Sequence, residues 1–147
     1  MRWFPWPGWL GPHSWTWRRL LGNRSERIAA EHLRRLGLRI LAKNIDARGI
    51  GEIDILAREG DTLVVVEVRS RRVHDAQIPL DSVDHGKRRR ILAATRWLLR
   101  RHDLAGVNIR QDIVAIAWSA TNKVIEIRHI RNAFQPDGPG IVAGWYA

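Results

Sequence analysis

The 147-residue chain carries 25 Lys and Arg against 15 Asp and Glu, a formal net charge of +10, and has no cysteine. That length suits one domain with a real core; the missing thiols exclude a disulfide scaffold and thiolate metal sites and fit a reducing cytoplasm. A pI of about 11.5 in so small a chain points to nucleic acid as partner, with an anionic membrane surface second.

Residues 1–21 differ from the rest. They hold Trp3, Trp6, Trp9, Trp15 and Trp17 among Pro5, Pro7 and Pro12. The prolines forbid a continuous helix, no run approaches the ~20 apolar residues of a membrane span, and a signal peptide's apolar helix and cleavage site are missing. Trp with Arg suits a membrane interface or base stacking. Terminal segments are commonly loose, so the expectation is a poorly ordered extension, and membrane contact is the weaker reading.

From about Asn23 to Leu36 the stripe Ile28, Ala29, His32, Leu33, Leu36 predicts an amphipathic helix. Asn23 or Ser25 would cap it and Gly37 would stop it. Glu26 falls near its start, where the helix dipole favours an acid. Leu38 to Ile45 is apolar and predicts a strand, followed by a loop over 46–51.

The stretch GEIDILAREGDTLVVVEVRSRR, Gly51 to Arg72, predicts two strands, about Glu52 to Arg58 and Thr62 to Arg69, joined through Glu59, Gly60 and Asp61. The run Val64, Val65, Val66, Val68 suits a strand buried on both faces. Acids interrupt it. Side chains alternate along a strand, so Glu52 shares a face with Asp54, and Glu67 with Arg69. Brought together, these carboxylates would need a compensating cation, either an arginine or a bound metal.

Ser70 to Asp84 reads as polar and irregular, and includes Gln77. Asp84 to about His102 predicts a second helix, with Asp84 as cap and Ile91, Leu92, Thr95, Leu98, Leu99 as its apolar stripe. Its first turns carry Lys87, Arg88, Arg89 and Arg90. Four cations there oppose the helix dipole; phosphate contact and a solvated basic face are both open readings. Asn108 to Trp118 and Lys123 to Ile130 alternate as strands. Asp112 reads either as a site acid or as a strand-start acid paired to an arginine. Residues 135–147 form a Pro/Gly-rich tail. The order helix, three strands, helix, two strands predicts an α/β sandwich around a mixed sheet of about five strands.

The pattern Asp54-x12-Glu67-x-Arg69 resembles the PD-(D/E)XK nuclease motif, with arginine in the lysine slot. The longer wording, LGNRSERIAAEHLRRLGLRILAKN through GEIDILAREGDTLVVVEVRSRR to PLDSVDHGKRRRI, resembles the YraN family, a bacterial family of unassigned function related to Holliday-junction resolvases. The resemblance covers about Leu21 to Phe134. It implies a restriction-endonuclease-like domain over 22–134 and a metal-dependent endonuclease acting on DNA, with branched or junction DNA as the substrate class, and a homodimer by analogy. It implies Mg²⁺ or Mn²⁺ held by Asp54, Glu67 and the backbone carbonyl of Val68. Glu26 would complete a catalytic set of Asp54, Glu67 and Arg69, supported by Glu52 and Gln77. Arg71, Arg72, Lys87, Arg88, Arg89 and Arg90 would meet the nucleic acid. Arginine keeps its proton and cannot act as a general base, although it can clamp a phosphate. The alternative is a nucleic-acid-binding protein that keeps the nuclease fold without cleavage.

Overall fold

The computed structural model describes residues 24–72 and 85–133. The expectations for the tryptophan-rich extension, Gln77, Asp84 and the tail lie outside these residues. In chain order the elements are α1 (Arg24–Arg35), β1 (Arg39–Asp46), β2 (Glu52–Glu59), β3 (Thr62–Arg72), α2 (His85–Arg101), β4 (Asn108–Trp118) and β5 (Val124–Ile130). Each element expected from the sequence is present, with no boundary shifted by more than three residues and β4 matched at both ends.

The strands form one sheet in the order β1-β2-β3-β4-β5. β1, β2 and β3 make an antiparallel meander, β3 and β4 run parallel, and β5 returns antiparallel. A parallel neighbour needs a crossover, and α2 supplies it. This is the expected α/β sandwich with a mixed sheet.

β3 sits in the middle because both its faces are apolar. Val64 and Val66 turn to the α1 side and pack with Ala29, Ala30 and Leu33. Leu63 and Val65 turn to the α2 side and pack with Ile91, Ala94 and Leu98. Each of the buried Val, Leu and Ile side chains among these is worth roughly 1.5–3 kcal/mol relative to exposure. α1 closes with Leu38 N–H donating to the Leu33 carbonyl and Gly37 N–H to that of Arg34, and Gly37 takes the left-handed φ of +91° that such a helix stop favours. Ser25, one of the two residues expected to cap this helix, is instead buried within its first turn.

A close approach fixes α2 over the start of β2. A Cβ on Gly51 would lie 2.8 Å from the Arg90 carbonyl oxygen, well inside van der Waals contact. The absence of a side chain at Gly51 is what lets the helix lie this near the acids of β2.

Candidate functional site

The recorded β2–β3 ladder runs from Glu59↔Thr62 to Ile55↔Val66. The next pair outward in that register would be Asp54 with Glu67. Here a side chain takes over from the ladder: Asp54 Oδ2 accepts the Val68 N–H at 2.8 Å. The Glu67 side chain lies beside Asp54, close enough for its charge to act on the Asp54 carboxyl. Glu67 is 3% exposed on the α2 side of β3, in line with Leu63 and Val65.

Burial first, and the neighbouring Glu67 carboxylate second, push Asp54 up to about 7, with the Val68 N–H and Lys87 pulling against them. Such a pair is uncomfortable without added positive charge. Two cations answer it. The Lys87 ammonium touches Glu67 Oε1, and Arg69 Nε stands 3.4 Å from the same oxygen.

Glu26 approaches from α1. Its Oε2 is buried without a hydrogen-bond partner among the described residues. Burial raises its pKa, a hydrogen bond with Asn44 opposes this, and the charges of Asp54 and Glu52 raise it further. Asn44 itself holds a left-handed φ of +52° within β1, a conformation Asn tolerates better than most residues. Glu31, on the same helix, is exposed and paired with Arg35. Glu52 is exposed at the start of β2.

The structure therefore brings Asp54, Glu67, Val68 and Arg69 together, with Glu26 within electrostatic reach and Glu52 at the margin. Among the described residues no three of His, Asp and Glu are grouped closely enough to hold a metal ion by themselves. A hard divalent ion still fits the donors. Mg²⁺ is commonly held by one or two carboxylates with substrate phosphate and water completing its shell, and a cation would relieve the repulsion between Asp54 and Glu67.

The block Lys87–Arg90 divides. Lys87 and Arg88 face inward; Arg88 is only 8% exposed. Arg89 and Arg90 face solvent. Arg72 donates to Asn122 Oδ1 at 2.7 Å, beside Arg24, whose guanidinium lies 4.6 Å from the Trp118 ring centre. The contact of Lys87 with Glu67 was not foreseen. A signal for it existed: Lys87, Ile91, Ala94 and Leu98 are spaced i, i+4, i+7, i+11, so the lysine extends the buried stripe of α2 by one turn.

A second acidic cluster lies on the other face of the sheet. Asp112 is 0% exposed. It accepts Arg110 Nε at 2.8 Å and Nη2 at 2.9 Å, the Asn132 N–H at 2.9 Å, and is 2.8 Å from His129 Nε2. Burial would raise its pKa, but the His129, Arg110 and Asn132 contacts outweigh that and lower it. Arg110 also reaches Glu59, which Arg131 clamps with two bonds. Asp112 is thus the paired strand-start acid, tied to an arginine two residues away.

Comparison with known proteins adds the family. The model of "Uncharacterised protein family UPF0102" matches residues 25–116. A UPF0102 protein of Geobacter sulfurreducens is 43% identical over 118 residues, 80% of this chain and 90% of that protein. One of Persephonella marina is 40% identical over 116 residues, 79% of this chain and 94% of that protein. The matched region contains Glu26, Asp54, Glu67, Arg69 and Lys87.

Proposed function

The chain belongs to the uncharacterised protein family UPF0102, the YraN family, and on that footing we propose that it is a metal-dependent endonuclease that hydrolyses DNA phosphodiester bonds, with branched or junction DNA as its substrate class. The observation that carries this reading is the pair of carboxyls where the β2–β3 ladder ends, the buried Glu67 and the half-buried Asp54, each within reach of the other's charge. A fold spends stability to bury two acids together, and a hard cation with a phosphate ligand is what such a pair accommodates.

Asp54 and Glu67 would hold Mg²⁺ or Mn²⁺, with the Val68 carbonyl as a further donor. Bound there, the ion polarises the scissile phosphate and acidifies a water. The chain's own residues do the rest. The Val68 N–H fixes one oxygen of Asp54, so that carboxylate is oriented before substrate arrives. Glu26, with its buried free oxygen, can accept a hydrogen bond from water between α1 and Asp54. Arg69 remains charged and serves phosphate, not proton transfer. Arg89 and Arg90 on the exposed side of α2, with Arg72, supply cations for the DNA backbone.

Labelled four-way, flap, single-stranded and duplex DNA, incubated with Mg²⁺, Mn²⁺ or EDTA beside Asp54→Ala, test the proposal. Metal-dependent products that vanish in the variant are expected. Binding by both proteins with no cut in any metal would sink it. That result would favour the second reading, a DNA-binding protein without cleavage.

A further inference from the structure

We propose that Lys87, delivered from α2, is the working cation of the acid pair and a catalytic residue, and that Arg69, which follows Glu67 on β3, is a secondary phosphate contact. Lys87 has this role only if Asp54 and Glu67 are the metal-binding acids proposed above.

The two cations are not equivalent. The Lys87 ammonium is in direct contact with Glu67 Oε1, whereas the nearest nitrogen of Arg69 is 3.4 Å away. Arg69 Nε is buried and has no hydrogen-bond partner among the described residues. β3 itself explains the difference: Arg69 projects from the strand that carries Glu67, two residues on, so both side chains leave the sheet side by side and not toward each other. Lys87 comes from the opposing layer and points down at the acid.

Two features of the sequence hold it there. Lys87 continues the core-facing stripe of Ile91, Ala94 and Leu98, so the packing of the helix sets its direction. Gly51 lets the backbone of α2 come within 2.8 Å of where a Cβ would sit, three residues before Asp54. An ammonium is a compact point charge on a flexible stem, suited to a gap that this approach leaves small. Hydrolysis adds water across a P–O bond, giving a phosphate monoester and an alcohol; negative charge builds on the phosphoryl oxygens in between. In the metal-free protein the Lys87 ammonium offsets the charge of Glu67. Facing substrate, it offsets the charge developing on the phosphate.

The test compares Lys87→Met, Lys87→Arg, Arg69→Met and Gly51→Ala with the wild type. Mn²⁺ binding to the DNA-free protein is measured by calorimetry, DNA affinity in Ca²⁺ by anisotropy, and cleavage in single turnover. Lys87→Met should cut about a hundredfold or more slowly. It should bind Mn²⁺ more tightly, because a charge competing for Glu67 is gone, and bind DNA nearly as well as wild type. Arg69→Met should show the reverse pattern, with DNA affinity falling more than the cleavage step. Gly51→Ala should slow cleavage with every charged group intact, because α2 is pushed outward. Lys87→Met cutting at the wild-type rate, or binding Mn²⁺ no more tightly, overturns the assignment, as does a normal rate in Gly51→Ala. A wild type that binds no Mn²⁺ removes the nuclease reading and this role together; wild-type binding and cleavage with an indifferent Lys87→Met removes only the role.

Discussion

Two buried acids on neighbouring strands of one sheet have opposite surroundings. Asp112 faces α1, and Glu67 faces α2; in the parallel β3–β4 register Asp112 stands beside Val66 and Glu67 beside Ile113, a single residue apart. Asp112 collects a bidentate arginine, a histidine and a backbone N–H, and its pKa falls. The Asp54–Glu67 pair repels itself, and Asp54 rises to about 7. The first arrangement saturates its acid's acceptor sites and ties β2, β4 and the end of β5 together. The second leaves a demand for positive charge that the fold only partly meets. Burial alone therefore does not separate a structural acid from a functional one; the supply of donors does.

The largest expected effect breaks the saturated cluster. Asp112→Ala removes the partner of His129 and of Arg110 Nε and Nη2, leaving Arg110 only its bond to Glu59, and removing one partner of a buried ion pair costs about 3–5 kcal/mol. Urea unfolding should show the loss. A change below about 1 kcal/mol would mean that solvent reaches the cluster.

At the other acids the sign reverses. Asp54→Asn in EDTA at pH 8 should raise stability by about 2 kcal/mol, since the native carboxyl is forced to ionise against burial and against Glu67. Asp54's native pKa lies above its ordinary value of 3.8. The folded protein therefore holds a proton that the unfolded chain has released, and stability falls as pH rises from about 4 through 7. At pH 4 the gain in Asp54→Asn should vanish. A gain that persists unchanged at pH 4 would point to packing instead of charge.

Glu59 provides a smaller contrast. Hydrogen bonds from Arg131 and then Arg110 lower its pKa to about 2. A depressed carboxylate contributes stability above its unfolded pKa and loses it as pH falls toward the folded value, so the window is about pH 4.5 to 2. Its side chain is 30% exposed, and solvent screening keeps the effect of Glu59→Gln at pH 7 to about 0.5–1 kcal/mol. Melting curves at pH 7 and pH 2.5 should differ less in the variant than in the wild type.

The smallest stability effect belongs to the solvent face of α2. Arg89→Ala with Arg90→Ala should leave unfolding within about 0.5 kcal/mol of wild type while lowering the slope of DNA affinity against salt by about one to two ions. An unchanged salt slope would move the DNA path off this helix.

Local pattern made most of the fold legible. The β-branched run Val64–Val66 marked the central strand, the i, i+4 stripe of α2 marked its buried face, and Gly60 marked the hairpin, all through contacts between near neighbours in sequence. No helix of the described residues is long and apolar enough to cross a membrane. Alternation likewise placed Asp54 on one face of β2 and Glu67 on one face of β3. What the chain order could not reveal was the layer opposite them. Spacing set Lys87 on the buried stripe of α2 and apart from the exposed Arg89 and Arg90, but only the packing of α2, brought close by Gly51, showed that the lysine meets Glu67. Asp112 was ambiguous for the same reason: its partner Arg110 is two residues away, but His129 and Asn132 arrive from β5 and beyond. Periodicity decides which way a side chain faces on its own element, and the tertiary structure decides what it meets there, because an acid's protonation and its partners are set by charges and donors distant in sequence.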